Sequence, residues 1–417
     1  MPRARLGLLA PCAAGLLTRR AGSAPRGQDG TLARRVRRPA ALGGVLGLLI
    51  VAAEAAGASP VKTVATRAAD ALAGQDWLWM GVYMLISLVA VGGLVAFLGM
   101  SLIYVERKVA GHFQCRLGPM RVGPHGIFQT IADTLKLLIK EDIIPAKADK
   151  PMHLLAPFLS MTATVLVLAV LPYSPICQIV DVNIGVLYVT AISGLGVLGI
   201  LLAGWSSNNK WSVIGAMRAA AQIISYELSA TLALLAMVLF AGTLSLAGIV
   251  ESQAAGWWIW RAPGVGLVAF IIYVIASTAE INRTPFDIPE GESELTAGFH
   301  TEYSGLRFSF FFLAEFINMF VVAGLAATLF LGGWMPFTVG GFESFNHAMG
   351  LVPPAVWFVL KTSALVFVIM WFRWTFPRLR VDQLMRLEWK FLLPIGFANL
   401  AAAAVLVLYN LYFFHGR

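Results

Sequence analysis

Long apolar runs alternate with short polar punctuation along most of this chain. Eight runs stand out, at about 78–104, 153–173, 184–204, 215–241, 264–283, 307–331, 353–374 and 390–413. Pro, Gly or charged clusters fill every gap between them. Each run is near the ~20 residues that span a bilayer's hydrocarbon core as a helix. In lipid, backbone polar groups have to be satisfied internally, so each run is predicted as a helix. A β-barrel would show short alternating segments, and none appear.

One gap carries a different period. In "GIFQTIADTLKLLIK", Ile127, Ile131, Leu135 and Leu138 fall on one helical stripe, with Gln129, Asp133, Lys136 and Lys140 opposite. That pattern predicts an amphipathic helix lying along a membrane surface or against a partner. The expected fold is therefore an all-α polytopic membrane protein. It has eight transmembrane helices plus an amphipathic surface helix on the cytoplasmic side.

Composition agrees: the chain is 58% hydrophobic and 13% charged, with a mean hydropathy of +0.76. The net charge of +9 changes the picture only through its position. Residues 1–69 hold 11 Lys or Arg against Asp29 and Glu54, whereas residues 70–417 hold 20 basic and 20 acidic residues. The basic excess belongs to an Arg/Ala/Gly-rich extension over 1–75, and no nucleic-acid partner is expected for the body. The extension ends in a short apolar run. It reads equally as a secretory signal, a transit peptide or sequence upstream of the true start. The body, 76–417, is expected to be one eight-helix membrane domain. Of its cations, 17 lie in or beside the gaps after odd-numbered runs. Those gaps should face the cytoplasm, leaving both ends of the body outside. Cys12, Cys115 and Cys177 form no C-x-x-C pair, and the six His lack zinc-site spacing, so no metal is expected.

The acids are unevenly placed. "AEINRTPFDIPEGESELTAGFHTEYSG", residues 279–305, holds six of the chain's 22 acids and one Arg. Glu280 lies near the end of the fifth run, with Arg283 one helical turn on if the helix continues. "TPFDIP" should then break the helix. Glu290, Glu292 and Glu294 follow. Glu227, Glu315 and Lys361 lie within other runs. Each ionisable group at a membrane helix centre costs about 2.5–3.5 kcal/mol on insertion scales. A structural account pairs Lys361 with one glutamate. A functional account makes the acids a proton relay, the usual role of intramembrane carboxyls. "ERKVAGHFQCRLGPMRVGP", residues 106–124, adds Arg107, Arg116 and Arg121 at the inner surface beside Glu106. "GLGVLG", Gly194 to Gly199, matches a dinucleotide fingerprint in letters. It sits inside an apolar run, where small residues instead serve close helix packing.

These motifs, with "GWSSNNKWSVIGAMRAAAQIISYEL" and "RWTFPRLRVDQLMRLEWKFLLP", resemble the H subunit of NADH:quinone oxidoreductase, respiratory complex I, from about residue 78 to 413. The resemblance implies the membrane heel of a proton-pumping enzyme, carrying no redox centre itself. Quinone is the substrate, and flavin and iron–sulfur clusters sit in partner subunits. The implied partners are the hydrophilic quinone-reducing subunits and the antiporter-like membrane subunits, in a bacterial inner membrane. It also implies a proton-coupling set of Asp133, Glu227, Glu280, Glu290, Glu292, Glu294 and Glu315. The quinone-path set it implies is Arg107, Arg116, Arg283, Arg378 and Arg380. The alternatives are the equivalent subunit of a membrane-bound hydrogenase and a stand-alone ion transporter. No internal repeat of the transporter kind is visible.

Overall fold

The first apolar run becomes one unbroken helix, α1 (Trp77–Phe113), which carries the "ERK" residues into its last turns. The computed structural model describes residues 77–175, 177–289, 296–337 and 343–409, all within a unit running from Ala58 to Arg417. The extension over 1–75 and the acids Glu290, Glu292 and Glu294 lie outside the described residues. Among those described there is no strand.

The amphipathic stretch forms α2 (Gln129–Ile139). Its stripe of Ile131, Leu135 and Leu138 is exposed, so this chain alone leaves the apolar face uncovered. There follow α3 (Lys150–Val170), α4 (Gly185–Ser206) and α5 (Lys210–Ala241). Two short helices, α6 (Leu246–Ser252) and α7 (Trp258–Arg261), lead into α8 (Val265–Glu280). Then come α9 (Gly305–Phe330), α10 (Glu343–Gly350) and α11 (Pro354–Thr375). The chain closes with α12 (Val381–Leu387), a π turn (Glu388–Leu392) and α13 (Leu393–Leu408).

Seven of these stretches are long and apolar enough to cross a membrane, and the protein is a multi-pass membrane protein. The eighth predicted span is α8, with 16 residues. At 1.5 Å per residue it reaches only about 24 Å, against a hydrocarbon core of ~30 Å. Positive φ at Gly264 (73°) and Asn282 (52°) stops it at both ends. Arg283 is therefore not one helical turn beyond Glu280, because the helix ends at Glu280 and the chain turns. The last span also starts earlier than its apolar run. α12, the π turn and α13 run on from Val381 to Leu408 as one span. The turn widens where Leu393 N–H reaches back to Glu388 O, next to Pro394, which has no N–H to donate.

α9 sits at the centre, between α3 on one side and α11 on the other. Its second half is buried from Phe316 through Phe330 except at Asn318. α4 lies along α3, and α5 packs against α4, α8 and α13. Between membrane helices, close packing through small residues replaces the aqueous hydrophobic drive. The buried face of α5 accordingly reads Gly215, Ala216, Ala219, Ala220, Ala230, Ala233 and Ala236. In the "GLGVLG" run only Gly199 meets this description. A Cβ there would come 3.0 Å from Ser160 N on α3, while Gly194 and Gly196 have open space. α5 starts where Asn209 Oδ1 accepts from Trp211 N (3.0 Å) and stops at left-handed Gly242.

The "HTEYSG" segment pins the long connection between α8 and α9 to four places. Glu302 accepts from Asn209 Nδ2 (2.7 Å), at the start of α5. Ser304 Oγ accepts from Ile143 N (2.9 Å), just past α2. The Tyr303 ring stacks on His153 of α3 at 3.9 Å, and its hydroxyl donates to His153 O (3.2 Å) and lies 3.4 Å from Ser206 Oγ of α4. Burial pushes the Tyr303 phenol up to about 12, so it stays a neutral donor at physiological pH. Tyr303→Phe should lower stability by about 1 kcal/mol. Tyr303→Ala, which also empties the stacking site, should cost about 3–5 kcal/mol. Denaturant midpoints of the two variants check this, and equal midpoints would remove the hydroxyl from the account.

Candidate functional site

At one end of the bundle, four segments bring charged groups to one node. α1 supplies Glu106, the turn after α8 supplies Arg283, α9 supplies Glu315, and the last turn of α11 supplies Arg373. Arg283 Nη1 lies 3.2 and 3.3 Å from the two carboxylate oxygens of Glu106, and its Nη2 lies 3.7 Å from Glu315 Oε2. Arg373 Nη1 bonds Glu106 from the other side. The Arg283 guanidinium also sits over Phe316, its carbon 4.4 Å from the ring centroid. Glu106 and Arg283 are 7% and 4% exposed, so neither charge is bearable without the other.

Above the node lies a cavity of about 110 Å³, walled by α3, α4, α5, α8 and α9. Glu227, Glu280 and Glu315 all line it, with Ser193, Thr190, Tyr273 and Asn318 among the polar groups between them. Ser193 Oγ donates to Glu227 Oε1 (2.9 Å). Glu315 belongs to both features, facing the cavity and touching Arg283. Three carboxyls predicted from separate stretches thus meet in one space, and Arg283 stands at its foot.

The other predicted residues are arranged around this pair of features. Asp133 forms an ion pair with Arg107 and accepts from Gln129 Nε2 (3.1 Å), which ties α2 to the end of α1 beside Glu106. Arg378 Nη2 pairs with Asp287 Oδ2 (2.6 Å), and Leu379 N donates to Pro285 O (3.1 Å). The segment before α12 is thereby fastened to the turn that carries Arg283. The Arg116 side chain donates to Gln114 Oε1 (2.6 Å), on an exposed turn whose backbone is closed by Arg116 N to Gly111 O (2.8 Å), and has no contact with the node. Arg380 serves the start of α12, its backbone N–H bonding Gln383 Oε1 (3.2 Å).

Three further residues are outside the predicted sets. Glu106 and Arg373 complete the node. Their signal was an acid and a base at the ends of apolar runs, and nothing in the spacing says that the two meet. Glu388 is the third, and it is fully buried. Lys361 does not pair with a glutamate. Its ammonium donates to the carbonyls of Leu331 (2.5 Å), Gly333 (3.0 Å) and Met335 (2.6 Å), and lies 4.4 Å from the Trp257 ring centroid. It ties off the chain just past the C-terminal end of α9, where carbonyls lack helical partners. Among the described residues no three His, Cys, Asp or Glu gather as a metal would need.

Comparison with known proteins places this arrangement. Residues 84–404 match the family model described as NADH dehydrogenase. A Bacteroides fragilis protein, named as the H subunit of NADH-quinone oxidoreductase, is 52% identical over 337 residues, 80% of this chain and 94% of that one. The H subunit of Geobacillus kaustophilus is 50% identical over 304 residues, 73% of this chain and 87% of its own length. That of Bacillus cytotoxicus is 50% identical over 305 residues, 73% and 88% of the two chains. With four-fifths of its length matched at this level, the chain belongs to the NADH dehydrogenase family, among the H subunits of NADH-quinone oxidoreductase.

Proposed function

We propose that this chain is the membrane heel of a proton-pumping NADH-quinone oxidoreductase in a bacterial inner membrane, with both ends of its body on the outer side. In this reading it forms part of the chamber where a quinone is reduced, and Arg283 and Arg107 stand on the quinone side. Arg378 is fastened to the same turn. Arg116 and Arg380 join that path only through partner subunits. The hydrophilic quinone-reducing subunits, with their flavin and iron–sulfur clusters, cover the inner face. The antiporter-like membrane subunits continue the proton path, and lipid and partners cover the apolar stripe of α2. The names of the relatives favour this over a hydrogenase subunit or a lone transporter.

The observation that carries the reading is the contact between node and cavity. Reducing a quinone adds electrons and then protons, so negative charge appears transiently beside Arg283. The node of Glu106, Glu315, Arg283 and Arg373 is neutral as two acids and two bases. Extra negative charge near it loosens the hold of Arg283 on Glu315. Glu315 then turns to the cavity it shares with Glu280 and Glu227. Carboxyls this close in a low dielectric resist full ionisation together, so they titrate as a group and a proton passes among them. Asp133, Glu290, Glu292 and Glu294 are assigned to the aqueous approach to this group.

Glu280→Gln keeps the shape of the side chain and removes its proton site. The assembled complex carrying it should reduce quinone slowly, with pumping lowered at least tenfold. Proton uptake by membrane vesicles, measured beside NADH oxidation, tests this. Wild-type pumping in that variant would end the proton-path reading.

A further inference from the structure

Glu388 is 0% exposed, and one of its oxygens is bonded only by Ser229 of α5 while the other has no hydrogen-bond partner. No cation among the described residues lies within ion-pair distance. Arg386 and Lys390, on its own segment, are exposed. The phenol of Tyr226 on α5 is the titratable group in electrostatic reach, and it donates to Leu384 O (3.0 Å). Glu227 and Glu280 face the cavity on another side of α5. Burying an unpaired carboxylate is far more costly than burying the neutral acid, so such a group keeps its proton. The π turn that begins at Glu388 is a form found often at functional sites.

The surroundings connect this carboxyl to the charged turn. Gln222, Ser225, Tyr226 and Ser229 follow one buried strip of α5. At one end Gln222 Nε2 donates to Ala279 O (2.8 Å), Asn282 Oδ1 (3.2 Å) and Phe286 O (2.7 Å), on both sides of Arg283. At the other end Ser229 holds Glu388. The segment preceding α12 is fixed to the same turn through Arg378–Asp287 and Leu379–Pro285. A shift of the turn therefore reaches Glu388 along two routes, one through α5 and one through α12.

We propose that Glu388 is a further proton-holding site of the bundle, distinct from the cavity acids, which exchanges its proton when the turn carrying Arg283 changes charge. This rests on the part of the proposed function in which negative charge appears beside Arg283 during quinone reduction, and not on the passage of protons through Glu280. Glu388 starts as the neutral acid. The O–H bond on its unpartnered oxygen breaks and the proton passes to water, leaving a carboxylate and a hydronium ion, and the bond forms again when water returns a proton.

The test is redox-induced infrared difference spectroscopy on the whole complex in membranes, with assembly checked by co-purified subunits. Wild type should show a protonated-carboxyl carbonyl band that changes between the oxidised and reduced states. Glu388→Gln should lose that band, and Glu388→Asp should restore one at a shifted frequency. Ser229→Ala removes one hydrogen bond and should move the band to higher frequency. This variant carries the test where Glu388→Gln does not assemble. A difference spectrum unchanged in the assembled Glu388→Gln complex, or unmoved by Ser229→Ala, overturns the inference. Vesicle pumping by Glu280→Gln is read separately. Low pumping there with no Glu388 band sinks only the present inference, and a lost Glu388 band with normal pumping sinks only the Glu280 path.

Discussion

Arg283→Met should leave little assembled complex in the membrane. The substitution keeps most of the apolar contact with Phe316 and removes the charge. Glu106 then sits at the base of the bundle with Arg373 alone, and Glu315 loses the guanidinium 3.7 Å away. Breaking a buried pair by removing one partner costs about 3–5 kcal/mol, a large share of the total stability of most folded domains. Arg283→Lys should recover part of this, because a point charge replaces a planar fork that reaches two carboxylates at once. The double variant Arg283→Met with Glu106→Gln should be more stable than Arg283→Met alone, since Glu106, the more buried of the two carboxylates that Arg283 serves, then carries no charge. Unfolding midpoints of wild type, the two single variants and the double variant form a cycle that isolates the pair. Additive effects would show that the two residues do not depend on each other, contrary to the geometry.

Lys361→Met should be the most damaging change around the C-terminal end of α9, and it should leave pumping per electron alone. Three carbonyls lose their donor at once, at about 1–3 kcal/mol for each buried group left unsatisfied. The Trp257 face also loses its cation. Allowing for some relaxation, a total of roughly 3 kcal/mol or more is expected. The variant separates two meanings of a charge inside a membrane. If Lys361 only ties off α9, the surviving complex pumps the normal number of protons for each electron passed. A lowered ratio would instead put Lys361 on the proton path, against its bonding to backbone alone.

Much of this architecture could be read from hydrophobic period. The spans and the amphipathic α2 follow from it, because lipid allows a chain few alternatives to a helix. The cost of burying charge also pointed to Glu227, Glu280 and Glu315, and they do share one space. What period cannot supply is the partner. Glu106 reaches Arg283 across 177 residues and Arg373 across 267, and no local rule links positions so far apart. Lys361 was harder still, since its acceptors are backbone carbonyls, which every residue has. Glu388 was hidden for another reason. It stands between the exposed Arg386 and Lys390 in a charged stretch, and only the run of helix through the π turn carries it inside. Arg283 itself was misplaced by one assumption, that α8 continued past Glu280.

The long separation within the node has a consequence for how the protein is made. Chains grow at about 5–20 residues per second, so Glu106 enters the membrane surface roughly 10–35 s before Arg283 is synthesised. Through that interval it has neither Arg283 nor Arg373 beside it. The nascent subunit must therefore hold α1 near water, or in the care of an insertion factor, until its second half arrives. A ribosome that stalls between α1 and α8 would leave a membrane fragment whose Glu106 lacks both arginines that grip it in the finished fold. Such a fragment is an exposed mark of incompleteness that a quality-control protease could read.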